Sequence, residues 1–228
     1  MKLNAVKPLY ICAGAIIATV VTLISFIVLE PVVSHAIDDD FTVSQTITGE
    51  ISFSTPANDV TMSPAIASLT GGTSNGTSTV VVTTNNSTGY NMTIAFASAT
   101  AMYRNSGGGE IDNYAPAAPV TPDFTFDTGE AFGQFGYSVV GDSAAEVDPT
   151  FQDNGTDTCA TGSSNTQGAC WFAPSTTAET IINRSNATLA TGATTSVKFR
   201  VYVPANPSPT IPTGTYVATA TLSAVTNP

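Results

Sequence analysis

The chain has little of what proton-transfer chemistry needs. Its 228 residues include one histidine, three cysteines and one tryptophan. Basic residues number 6 against 17 acidic ones, and charged residues make up only 10%, well under the roughly 25% of an ordinary soluble domain. Ser–His–Asp and Cys–His catalysis both require an imidazole. The usual zinc ligand sets require His or several thiolates. The lone histidine, His35, sits inside a candidate leader, so a processed chain would have none. The formal net charge of −11 repels phosphate backbones, which argues against a nucleic-acid partner. No stretch after the N-terminal segment shows an amphipathic helical period. No cofactor is expected.

What is present begins with export. Lys2 and Lys7 form a positive start, and Leu9–Leu29 follows without a charge. Glu30 and Pro31 end it, and Ser34-His35-Ala36 is a small-x-small cleavage signal. Two readings stay open: a signal peptide covering 1–36 that is removed, or a transmembrane anchor through residues 9–29, since about 20 apolar residues span a bilayer. Both predict an extracytoplasmic location, membrane-anchored or secreted. Loss of 1–36 would remove Lys2, Lys7 and Glu30, leaving 4 basic and 16 acidic residues. Cys12 lies within the apolar run, so Cys159 and Cys170 remain as an even pair in an oxidising place. They are expected to form a disulfide.

Residues 37–228 read as strands. Phe41, Val43, Ile47, Ile51 and Phe53 all fall on odd positions, which predicts one strand over Phe41–Phe53 with a single buried face. Val80–Val82, the turn-rich Asn85–Gly89, and then alternating Tyr90, Met92, Ile94 and Phe96 predict a hairpin. Val197, Phe199, Val201 and Val203 alternate with Lys198, Arg200 and Tyr202. A Pro-rich connection leads to a last stripe of Tyr216, Ala218, Ala220 and Leu222, expected to pair with the preceding strand. Phe124, Phe126, Phe132, Phe135 and Tyr137 are expected in the core. The acidic, turn-rich stretch around 141–170 reads as a long surface insertion pinned by the disulfide. Many short strands separated by turn signals predict an all-β, two-sheet β-sandwich, Ig-like or jelly-roll-like, over 37–228, preceded by an N-terminal hydrophobic helix.

Thr83–Tyr90 followed by Asn91–Ile94, the Phe135-Gly136-Tyr137-Ser138 segment, and Ile211–Tyr216 leading into Val217–Asn227 together resemble bacterial exported surface β-sandwich proteins of the pilin-like and WxL-like kind. The resemblance implies a sandwich at the cell surface and no reaction. WxL domains carry repeated Trp-x-Leu motifs, whereas here Trp171 is followed by Phe172-Ala173, so peptidoglycan binding of that kind is not implied.

Three motifs suggest chemistry. Asp127-Thr128-Gly129 after Phe124-Thr125-Phe126 matches the aspartic-protease tripeptide. That mechanism needs two carboxylates sharing a proton, so this single copy would work only in a symmetric dimer; Asp-Thr-Gly is also an ordinary turn. Asp153-Asn154-Gly155-Thr156-Asp157 resembles part of a calcium loop, making Asp153 and Asp157 candidate ligands, but no Glu closes it. Lys198, the single lysine after the leader, reads as an exposed charge. The expected role is therefore a non-enzymatic structural or adhesive surface protein, with other surface proteins, surface glycans or further copies of itself as partners. The Phe41–Phe53 segment is a candidate strand for pairing with a neighbour's open edge. A carbohydrate- or calcium-binding module is the alternative, and a dimeric single-motif aspartic protease a remote one.

Overall fold

The computed structural model describes residues 7–28 and 39–228. The chain divides into two units, one ending at Thr46 and one running from Ile47 to Pro228.

In the first unit, Lys7–Val28 forms helix α1. The Thr19 and Thr22 hydroxyls donate to carbonyls one turn back, which removes the cost of a free hydroxyl in an apolar helix. Among the described residues, no helix is long and apolar enough to cross a membrane; Leu29, the end of the candidate anchor, lies outside them. Lys2, Glu30, Pro31 and the Ser34–Ala36 cleavage signal lie outside the described residues.

The second unit is built of ten strands in chain order: β1 Ile51–Thr55, β2 Gly72–Thr84, β3 Tyr90–Phe96, β4 Met102–Arg104, β5 Glu110–Asn113, β6 Gln134–Gly141, β7 Glu179–Arg184, β8 Ala193–Val203, β9 Tyr216–Ala218 and β10 Ala220–Thr226. They make a seven-stranded sheet in the order β1-β2-β8-β6-β5-β4-β9 and a three-stranded sheet in the order β10-β3-β7. Pairing is antiparallel except between β5 and β6. The all-β, two-sheet expectation holds at this level.

The core lies between the sheets. Val80 and Val82 of β2, Tyr90, Met92, Ile94 and Phe96 of β3, Phe135, Tyr137 and Val139 of β6, and Val197, Val201 and Val203 of β8 are all buried in one cluster. The period-2 stripes of β3 and β8 therefore face inward as read. Phe96 bridges the layers edge-on to Phe135, with centroids 6.0 Å apart, the arrangement that aromatic quadrupoles favour.

Several tertiary pairings differ from the sequence reading. β2 and β3 are not a hairpin: they lie in different sheets, and Asn85–Gly89 carries the chain across the sandwich. Asn86 and Thr88 anchor this crossing by donating to the carbonyl of Asn227. Nor do the last two strands pair with each other. β8 lies between β2 and β6, while the final stripe breaks at Thr219, so that β9 joins β4 and β10 joins β3. Periodicity fixes which face a strand buries, but not its neighbour, because pairing partners are chosen by contacts distant in sequence.

The stretch around 141–170 is irregular, as expected, but it is not merely a surface loop. Two 3-10 turns, Ala144–Glu146 and Pro149–Phe151, insert Val147 and Phe151 into the main core. The outward face of β6 is covered as well. Tyr114, Phe126 and Trp171 form a second apolar cluster against Tyr202 of β8. Gly136 makes room for it: a Cβ there would sit 2.8 Å from the Tyr114 Cβ and 3.1 Å from both Phe126 and the carbonyl of Phe172. The main sheet is thus buried on both faces at β6, and a glycine is required where the covering loops touch its backbone.

Candidate functional site

The most unusual surface feature is the segment leading into β1. The strand predicted over Phe41–Phe53 forms only at Ile51–Thr55. There Ile51 and Phe53 pack against the core, as the stripe implied. Phe41, Val43 and Ile47 do not: they are 85%, 83% and 82% exposed, and no strand includes them. The expectation of one continuous buried face is corrected here, because β2 offers partners only as far as the Ile51–Thr84 pair. Beyond that point Glu50 N–H donates to Asn85 Oδ1 and the ladder ends. Asn85 Nδ2 also donates to Thr48 O, and the uncharged residues 41–47 precede these bonds with Phe41, Val43 and Ile47 exposed.

A second feature was not foreseen from sequence. Among the described residues β10 pairs with β3 alone, while β1 lies close beside it. Its residues are exposed apart from half-buried Leu222 and Ala224, and its register with β3 is unbroken. The only signal available beforehand was compositional: Ala220–Thr226 has no charge and no proline, the residues that normally blunt an edge.

Asp127, the protease-like carboxylate, is exposed and holds its own turn. Its Oδ1 accepts from Gly129 N–H at 2.9 Å, and its backbone N–H donates to the Tyr114 hydroxyl at 3.0 Å. It lines a shallow depression with Asp123 and Asp157. Asp123 accepts from the Tyr114 hydroxyl at 2.6 Å and from Ala117 N–H. Burial, followed by the bond to Asp123, pushes the Tyr114 hydroxyl well above the ordinary tyrosine value. These bonds are those of an Asx turn and a pinned loop.

The two calcium-loop candidates lie in unlike environments. Asp153 is fully buried and caps the loop from within. Its Oδ1 accepts from Gly155 N–H (2.7 Å) and Thr166 Oγ1 (3.0 Å), and its Oδ2 from Thr166 N–H (2.6 Å). Asp157 is exposed, and its carboxyl is held below the usual value by hydrogen bonds from Asn154 and then Thr158. Among the described residues no group of three or more acidic, His or Cys side chains is placed to hold a metal ion. Cys159 and Cys170 are bonded and buried beside Ala169 and Phe124.

Lys198 and Arg200 share the outward face of β8. Lys198 is half-buried rather than exposed, and burial followed by the nearby Arg200 charge lowers its pKa. Arg200 lies over Trp171 and donates through Nε to Asn75 Oδ1. The one ion pair among the described residues joins Arg184 to Glu146.

No family model matches the chain, and no curated protein is significantly similar to it.

Proposed function

We propose that the protein is a non-enzymatic, extracytoplasmic structural or adhesive subunit, pilin-like in the sense that copies associate through an extended arm. One observation carries this reading: Phe41, Val43 and Ile47, an alternating apolar set, are all exposed, and none of them belongs to the core cluster. Burying each such side chain is worth about 1.5–3 kcal/mol, so the arm has a substantial driving force to find a partner. The rest of the surface fits a scaffold. The two-sheet domain, of the broad Ig-like or jelly-roll-like sandwich kind, holds edges and loops on a rigid base. Asp127 and Asp153 serve their own loops. The export pattern of the N-terminal segment supports an extracytoplasmic position, the kind of compartment in which a bond such as Cys159–Cys170 persists.

The test is sedimentation of the full-length chain in mild detergent over a range of concentrations, beside a Phe41→Asp/Val43→Asp variant. Association that weakens at least tenfold in the variant supports the reading. Equal sedimentation of the two at every concentration overturns it, because any association through α1 is common to both.

A further inference from the structure

We infer that the outward face of β2 and β8 is a binding site for an acidic sugar, in which Lys198 and Arg200 hold the carboxylate of one uronic acid residue within an otherwise neutral oligosaccharide. The inference stands apart from the self-association proposed above, because residues 41–47 take no part in it.

Charge on this face runs against the composition of the chain. Acidic residues number 17 and basic residues 6. Yet the outward positions of the adjoining strands β2, β8 and β6 hold two cations and no carboxylate. Opposite Lys198 and Arg200 lie Thr77 and Asn75 of β2 on one side, and Ser138 and Gly136 of β6 on the other. The buried Ser74, Ser78 and Val80 alternate with the outward residues of β2 and point the other way. Lys198 and Arg200 are two residues apart on one strand, so their charges repel, and the Lys198 pKa is lowered by burial and then by Arg200. The one ion pair among the described residues is Arg184–Glu146, which is not on this face. Two adjacent like charges without a counter-charge are a cost that a bound anion removes.

The donors are oriented and free. Arg200 gives its Nε–H to Asn75 Oδ1, and its guanidinium lies over the Trp171 ring, so both contacts set its plane. Its two terminal nitrogens and Lys198 Nζ make no hydrogen bond among the described residues, and none of the three is buried. A planar fork of N–H donors matches a carboxylate, and an ammonium beside it adds a point charge. Around them stand groups that both donate and accept, as sugar hydroxyls require. Thr77 and Asn75 are exposed, and the Thr79 and Ser196 hydroxyls already share a bond at 3.0 Å. Other anionic partners fit less well. A protein interface needs an apolar or aromatic centre, but Val81 is the one apolar residue among the outward positions from Thr73 to Thr83, and Trp171 is buried. Recognition of an anionic membrane uses clusters of about four to eight cations. A densely charged polymer would be repelled by the net −11 of the chain.

The probe is a tetrasaccharide of one glucuronic acid and three neutral hexoses, titrated by calorimetry into the full-length chain in mild detergent at physiological salt. Its methyl ester is the uncharged control. Wild type is expected to bind the acid at least tenfold more tightly than the ester, and the emission of Trp171, the only tryptophan, is expected to shift on binding. Arg200→Gln is expected to weaken binding about tenfold and Lys198→Gln about threefold, the scale of charge-assisted hydrogen bonds partly replaced by water. Phe41→Asp/Val43→Asp is expected to bind as wild type does. If Arg200→Gln does not unfold cooperatively, Lys198→Gln and the ester carry the test. No binding, equal binding of acid and ester, or wild-type affinity in both β8 variants would overturn the site. Acetate binding as tightly as the tetrasaccharide would overturn the sugar assignment. Tighter binding of a polyglutamate peptide, or of vesicles containing phosphatidylglycerol, would overturn it as well.

Discussion

The guanidinium of Arg200 lies 4.3 Å from the ring centroid of Trp171, while its Nε donates to Asn75 Oδ1 at 2.8 Å. The pair ties a loop to the outer face of the large sheet. Trp171 is itself buried, its Nε1 donating to Gly168 O and its ring edge-on to Phe126. Trp171→Ala is expected to cost about 3–5 kcal/mol, the range for losing a large buried aromatic. Arg200→Gln should cost about 1 kcal/mol, the scale of one half-buried cation–π contact. Urea unfolding measures both. Trp171 is the only tryptophan, so its emission in Arg200→Gln also reports directly on the lost contact.

Arg184 and Glu146 form an ion pair whose side chains are 12% and 19% exposed. Removing one member leaves a poorly hydrated charge. Glu146→Gln is expected to destabilise by about 3 kcal/mol, at the low end for buried pairs because some solvent reaches this one. Replacing both by apolar residues of similar volume should recover most of that loss. A double-mutant cycle in chemical denaturation decides it; equal and additive losses would show that the contact contributes nothing.

Asp153 is the hub of the disulfide-bonded loop. Asp153→Ala strands two backbone N–H groups and the Thr166 hydroxyl, and bonds to a charged acceptor are worth roughly 1.5–3 kcal/mol. Loss of the loop's protection from hydrogen exchange over 153–166 is the expected result. Because the Asp153 carboxylate is already fully engaged, millimolar Ca²⁺ is expected to leave Tm unchanged. A ligand bound at a hundred times its Kd would add about 2.7 kcal/mol, so a rise in Tm would reinstate the calcium reading.

Alkaline pH should unfold the protein through its tyrosines. Burial, with Glu146 adding to it, raises the Tyr90 hydroxyl to about 12, and burial raises Tyr137 and Tyr114 further above the ordinary value. A folded pKa above the unfolded value near 10 means that the folded state keeps its proton where the unfolded state has lost it. Stability is therefore complete below about pH 10 and falls as pH rises towards 12. Absorbance at 295 nm should show these tyrosines ionising together with unfolding. The Tyr137 hydroxyl is buried with no hydrogen-bond partner among the described residues, so Tyr137→Phe should be neutral or slightly stabilising at pH 7. It should also shift alkaline unfolding to higher pH.

Strand faces were legible in the sequence wherever the chain is covered on one side. The Val197–Val203 and Tyr90–Phe96 stripes face the core because the pleat alternates every residue and both strands sit inside the sandwich. The same rule misplaced Phe41, Val43 and Ile47. Their alternation is sound, but all three side chains are exposed, because alternation alone does not supply a covering layer. The outward residues of β6 and β8 were unreadable for the converse reason: Trp171, Phe126 and Tyr114 come from loops without periodicity, and only folding brings them over Gly136 and Arg200.

Composition and spacing alone determined a mostly β chain in two sheets and a cysteine pair suited to bonding, because these follow from local alternation and residue counts. Tertiary structure alone decided that β2 and β3 part into different sheets, that the final stripe changes sheets at Thr219, and that β10 ends the smaller sheet close beside β1. Strand neighbours are selected by packing between residues tens of positions apart, and no pattern within a single strand encodes that choice.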